Sequence, residues 1–230
     1  MSGERRSATR SGFTGELWDA IGPIYAEILA HPFLLGLTDG TLPKDRFRHY
    51  VVQDALYLRD YARVLSLTGV RSPSEEGLVM FDEHAIGAIT VERSLHEGFL
   101  GELGLTQEDL DRTPMAPTTL AYTSYLLRTA ALGDYHEALG AVLPCYWIYA
   151  RVGEALLERG SPDPMYRRWI ETYGGEEFQG LVEAVLDLTD RACADLSPPQ
   201  REAARNAFVT TSRYEWMFWN MGWTLEGWPV

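Results

Sequence analysis

The run Leu143-Pro144-Cys145-Tyr146-Trp147-Ile148-Tyr149 places a thiol among aromatic rings, one residue after a proline. A thiol of ordinary pKa, about 8.5, is only a few per cent ionised at neutral pH, so nucleophilic work by Cys145 requires a base or oriented donors beside it. At helical spacing Val142, Cys145, Tyr149, Val152 and Leu156 share one face, which puts Tyr149 a turn beyond the sulfur. Pro144 inside that helix would free the Gly140 carbonyl and open a polar gap. The competing assignment is packing, because cysteine is among the most buried residue types and usually serves as a small hydrophobe.

Two carboxylates fall in equally apolar company. Asp54 lies within the stripe Phe47, Tyr50, Val51, Tyr57, Tyr61 and Leu65, with Tyr57 three residues on and close to the same face. An ionised carboxylate facing a core needs a partner. The two donors of an amidine-like edge, such as an aminopyrimidine, would satisfy it in a functional reading; Arg59 or Arg63 would do so in a structural one. Glu215 recurs with Phe208, Ser212 and Trp219 at helical spacing, and burial among aromatics raises a carboxyl pKa toward the range useful for general acid–base work. The alternative is a glutamate at the rim of its stripe, reaching solvent or an arginine. An acid, a thiol and an acid on three helices, all pointing inward, could build one pocket.

Metal chemistry has a weaker basis. Glu92 and His96 are spaced i, i+4, with Glu83 and His84 one to two turns earlier, but a di-iron bundle needs Glu-x-x-His pairs or their equivalents from several helices. The second set is missing, so a salt-bridged or capped helix face is the better assignment and no metal is expected. Neither a Gly-rich phosphate loop nor a Gly-x-Ser-x-Gly elbow occurs.

Helices must position these residues, since helical periodicity dominates and no alternating strand pattern interrupts it. The chain reads as all-α. A first helix is predicted over about Thr14 to Ala30, stopping near His31 because Pro32 disfavours αR in the residue before it. A turn follows through Thr38-Asp39-Gly40-Thr41, and Pro43 suits the first turn of the helix carrying Asp54. Ser72 with Glu75, and Ser197 with Gln200, match capping boxes with proline at the first helical position. Further helices are predicted over Thr118 to Ala131, Tyr135 to Glu158, Asp163 to about Tyr173, Glu176 to Ala194 and Pro198 to Leu225. The brief Leu132-Gly133-Asp134 connection makes the first two of these neighbours, and Gly174-Gly175 ends the third.

At 230 residues with 46% hydrophobic composition, one domain with a sizeable core is expected over residues 13–230, behind a polar tail from Met1 to Gly12. A net charge of −13 without a basic cluster disfavours nucleic acid and anionic membranes as partners. No run approaches the roughly 20 apolar residues of a membrane span, and the tail lacks the apolar core of a signal peptide. With only Cys145 and Cys193 there is no disulfide framework, so reduced thiols in a cytoplasmic protein are the expectation.

Taken together the motifs resemble the TenA family, that is, thiaminase II or aminopyrimidine aminohydrolase. The resemblance rests on His31-Pro32-Phe33, Gly40-Thr41-Leu42-Pro43, Gln53-Asp54-Ala55-Leu56-Tyr57-Leu58, the run around Cys145, Trp169-Ile170-Glu171-Thr172-Tyr173-Gly174-Gly175 and Tyr214-Glu215-Trp216-Met217-Phe218-Trp219, in order from about Leu17 to Trp228. It implies a haem-oxygenase-like all-α fold without haem or other cofactor. It also implies hydrolysis of a 4-amino-2-methylpyrimidine at its exocyclic methylene, in the service of thiamin salvage, and a homotetramer. The implied roles are Cys145 as nucleophile, Glu215 as acid/base, Asp54 as the carboxylate on the pyrimidine edge, Tyr57, Tyr122, Tyr149 and Tyr173 as pocket tyrosines, and Phe208 as a ring-stacking position. A binding protein for thiamin-related pyrimidines and a helical di-iron oxidase are the alternative classes.

Overall fold

The computed structural model describes residues 10–95, 98 and 101–230 of the chain, and every regular element among them is helical. The order is α1 (Phe13–Ala20), α2 (Gly22–Leu29), α3 (Pro32–Asp39), α4 (Lys44–Val70), α5 (Glu75–Leu95), α6 (Gln107–Arg112), α7 (Pro117–Leu132), α8 (Tyr135–Leu157), α9 (Pro164–Gly174), α10 (Glu176–Ala192) and α11 (Pro198–Thr224). Two pairs form the backbone of the bundle: α4 packs along α5, and α8 along α11. Contacts of α4 with α7 and α11, and of α8 with α9, close the bundle around a shared interior.

The N-terminal third departs from expectation in ways that proline explains. The single helix predicted over Thr14 to Ala30 is two, broken at Ile21, because Pro23 has no N–H to continue the ladder and instead occupies the first turn of α2. Pro32 does more than stop a helix. It forces His31 into an extended conformation, His31 Nδ1 accepts from the Phe33 N–H at 3.2 Å, and an unanticipated helix α3 starts there. Gly40 ends α3 at φ 70, a left-handed conformation that favours glycine.

At α5 the expected Ser72–Glu75 box does not form. The helix begins at Glu75, and Ser74 caps it by accepting from the Gly77 N–H at 3.1 Å. The Ser197–Gln200 box does form, with Gln200 Oε1 accepting from the Ser197 N–H at 3.0 Å. Helix α6 was not anticipated, although Thr106 and Asp109 cap each other reciprocally and Thr-x-x-Asp was visible in the sequence. Of the predicted tail, residues 1–9 lie outside the described residues, while Arg10 is held by ion pairs to Glu183 and Asp187.

Two glycines set the helix spacing around the interior. A Cβ on Gly153 would lie 2.4 Å from the Tyr173 carbonyl carbon, and one on Gly140 would lie 2.3 Å from the Ala204 oxygen. Only glycine lets α8 approach α9 and α11 this closely, and that approach carries Tyr173 onto Tyr149.

Candidate active site

Asp54 sits where the stripe on α4 placed it, 6% exposed, with Phe47, Tyr50, Val51, Tyr57, Tyr61 and Leu65 buried around it. Desolvation raises its pKa to about 7, and no cation or hydrogen bond opposes that rise. The two arginines that could have neutralised it structurally are elsewhere: Arg59 lies at Asp111, 3.5 Å away, and Arg63 at Asp60, 2.9 Å away. This carboxyl is therefore buried without a protein counter-ion among the described residues.

Glu215 enters from α11 at 1% exposure, on the same enclosed face as Ser212 and Trp219. Burial raises it to about 8; the Tyr122 hydroxyl, donating to Oε1 at 2.6 Å, works against that rise, and the charge of Asp54 adds to it. Tyr122 is itself fixed by stacking on Tyr214, with centroids 5.1 Å apart and planes 9° from parallel. Glu215 thus feels the charge of Asp54 across the bundle interior, and both carboxyls carry substantial protonated populations near neutral pH.

Cys145 comes from α8, directly after the interior Pro144. Proline leaves the ladder incomplete in this turn, and the Tyr61 hydroxyl donates to the Val142 carbonyl there at 3.0 Å. Burial holds the thiol well above its ordinary pKa. Glu215 and Asp54 push the same way, while the hydroxyls of Tyr57 and Tyr61 favour the thiolate. Tyr57, Tyr61, Tyr146 and Tyr149 are all buried, whereas Cys145 is only partly so. The Tyr57 hydroxyl near the sulfur is enclosed and makes no hydrogen bond of normal geometry.

Aromatic rings wall this space. Tyr149 lies 4.8 Å from Tyr173 and 5.2 Å from Trp219, centroid to centroid, and its hydroxyl is 3.0 Å from that of Tyr50. Tyr173 senses Asp54, Cys145 and Glu215 together. Asp54, Tyr57, Tyr122, Cys145, Tyr149, Tyr173 and Glu215 are thereby brought to one place from α4, α7, α8, α9 and α11. Phe208 is fully enclosed, with Trp147 as its ring neighbour at 6.3 Å.

Several participants had no assigned role at the level of sequence. Tyr50 and Tyr61 were visible only as members of the stripe on α4, and Tyr146 only as a neighbour of Cys145. Trp219 has a buried indole N–H without an acceptor, a feature that invites a ligand acceptor. A search for buried hydroxyls at i±4 and i+7 from Asp54 would have found Tyr50 and Tyr61, and Trp219 stands at i+4 from Glu215 on the same stripe.

No cluster of three or more metal-ligating side chains occurs among the described residues. The side chains of Glu92 and His96 lie outside the described residues, and His84 is hydrogen-bonded to Tyr146. No helix among the described residues is long and apolar enough to cross a membrane.

Comparison with known proteins places this arrangement. The model of the TENA/THI-4/PQQC family matches residues 18–225. Aminopyrimidine aminohydrolase of Bacillus subtilis is 36% identical over 216 residues, covering 94% of this chain and 92% of that protein. The crystal structure of a TenA family transcription regulator from Silicibacter sp. TM1040 superposes with a TM-score of 0.86 at 30% identity, over 92% of this chain and 96% of that one. A domain of unknown function with a haem oxygenase-like fold from Shewanella denitrificans OS217, 17% identical, matches over 92% of both chains with a TM-score of 0.72, a likeness of fold alone.

Proposed function

This chain belongs to the TENA/THI-4/PQQC family, and from that membership we propose that it hydrolyses 4-amino-5-aminomethyl-2-methylpyrimidine, and thiamin, at the exocyclic methylene. The product is 4-amino-5-hydroxymethyl-2-methylpyrimidine, and the leaving group is ammonia in the first case and the thiazole in the second. The observation that carries the proposal is the convergence of Asp54, Cys145 and Glu215, three acidic groups raised by burial, with Asp54 adding to the rise of Glu215 and both carboxylates to that of Cys145, and with no protein cation between them among the described residues. Such a site favours a ligand that brings its own positive charge, and a protonated aminopyrimidine is one.

In this mechanism Asp54 accepts the two donors of the ring amidine and holds the ring against the sulfur. The arriving charge lowers the pKa of Cys145, whose thiolate adds to the electron-poor ring and helps expel the group on the methylene; once water has added at the methylene the C–S bond breaks, restoring the aromatic ring and the thiolate. Glu215, held largely protonated, first donates its proton to the leaving group and then takes one from the attacking water; Tyr122 fixes the carboxyl for both steps. Tyr57, Tyr149 and Tyr173 line the ring-binding space, and Phe208 contributes to its apolar side.

Turnover followed by ammonia release from the aminomethylpyrimidine tests the assignment. Cys145→Ala is expected to lose at least about a thousandfold and Glu215→Gln at least about a hundredfold. Unchanged turnover in both variants would reject the roles. The high thiol pKa keeps a second reading in view, a protein that binds thiamin-related pyrimidines without cleaving them; tight binding with no ammonia released would favour it. A homotetramer is part of the proposal. It is supported by the apolar groove of about 730 Å³ between α4 and α5, where Val70 is 73% and Ile86 66% exposed, and sedimentation would decide it.

A further inference from the structure

Helix α5 contributes no group to the mechanism above, yet one of its side chains reaches the shell around the thiol. His84 Nδ1 lies 3.1 Å from the hydroxyl of Tyr146, the residue that follows Cys145 in α8. Behind it, Phe81 meets the imidazole edge-on, with centroids 6.4 Å apart and planes at 85°. Phe81 is fully buried, so the imidazole has a fixed backstop. On the other side the Tyr146 ring packs on Tyr61 at 5.9 Å, and Tyr61 stacks on Tyr57 at 5.3 Å with planes 20° from parallel. Tyr61 and Tyr57 carry the two hydroxyls that favour the thiolate of Cys145.

From this contact series we infer that His84 is a positioning residue for Cys145. With its Nε2 protonated, His84 accepts the Tyr146 hydroxyl proton at Nδ1 and so fixes the ring that backs Tyr61. With Tyr146 held, the Tyr61 ring stays where its hydroxyl reaches the Val142 carbonyl in the resting site and the sulfur once it is ionised. Removing the acceptor on α5 leaves the Tyr146 hydroxyl without that partner and loosens the rings packed between it and the thiol. Tyr57, at the far end of the series, is its only member that also lines the ring-binding space; Asp54, Tyr149 and Tyr173 lie outside it, so the larger effect belongs to the chemical step.

The inference rests on Cys145 being the nucleophile of the proposed reaction, and the test separates the two. Turnover of 4-amino-5-aminomethyl-2-methylpyrimidine and the rate of iodoacetamide modification of the Cys145 peptide, read by mass spectrometry, are measured on the full chain and on His84→Leu, His84→Asn, Tyr146→Phe and the His84→Leu/Tyr146→Phe double variant. His84→Leu should lower kcat about tenfold with KM within about twofold, and slow Cys145 modification by a similar factor. His84→Asn, which retains an acceptor near the Nδ1 position, should recover most of both. The double variant should be no worse than Tyr146→Phe alone, because both changes remove the same contact. An unchanged modification rate in His84→Leu, or additive losses in the double variant, would overturn the inference. If the full chain releases no ammonia, the functional proposal fails, while the modification rates still decide whether His84 acts on the thiol.

Discussion

The carboxylates of α10 and those of the bundle interior are the same chemical groups under opposite treatment. Asp190 on α10 accepts from the Thr14 N–H at 2.8 Å and from its hydroxyl at 2.7 Å, which caps α1, and Arg10 stands 3.6 Å away. Its neighbours Glu183 and Asp187 are paired with the same arginine. Asp54 and Glu215 have no cation among the described residues, and burial lifts them to about 7 and about 8. A carboxylate whose charge is already answered contributes to stability. One whose charge is left unanswered in a low-dielectric interior is a liability to the fold that a cationic ligand can relieve.

That contrast can be broken at either end. The largest effect is expected at Asp54→Asn, which should lower kcat/KM for the aminomethylpyrimidine by at least about a hundredfold, while leaving the fold intact because the amide needs no counter-ion. Preserved kcat/KM would place Asp54 with the structural carboxylates.

Next comes the pH dependence of stability. Asp54 and Glu215 have folded-state pKa values above their unfolded ones, so each contributes stability that is fully present below the unfolded value, about 4, and is lost as pH rises through about 7 and about 8. Denaturant titrations should show wild type losing several kcal/mol between pH 5 and 9, with Glu215→Gln losing clearly less over the same window. A flat profile in both would show that the interior carboxylates are compensated after all.

At the other region Asp190→Ala should cost about 1–2 kcal/mol, since it leaves the buried Thr14 N–H without its cap, and should leave turnover within about twofold. The smallest effect belongs to the solvent-facing pair of Arg191 and Glu76, 2.6 Å apart with both side chains more than half exposed. Arg191→Ala should change stability by less than about 0.5 kcal/mol. Differential scanning fluorimetry on the two variants would reverse the contrast if their order were exchanged.

Legibility in the sequence followed how local each determinant was. Helix α4 and its buried stripe were readable because a 3.6-residue period needs no partner to be recognised, and Asp54 stood out as the one charge on that stripe. Helix α3 was missed because Pro32 carries two meanings, a stop for one helix and a start for the next, and only the His31 cap shows that both apply. The box pattern matches at Ser72, whereas the chain bends through Pro73 and Ser74 and the helix starts at Glu75, so that Ser74 makes the cap.

By its own pattern the sequence determined that the chain is helical, that Cys145, Asp54 and Glu215 each fall on an apolar stripe of a helix, and that the surface is too acidic to invite a nucleic acid. Those properties arise from spacing along single helices and from summed charge. Tertiary structure decided what the three groups meet: Tyr122 on Glu215, Tyr57 and Tyr61 at the sulfur, and no arginine at Asp54. Hydrogen bonds and desolvation depend on contacts between helices far apart in the chain, made possible here by close approaches such as Gly153 on Tyr173, and no periodicity within one helix encodes them.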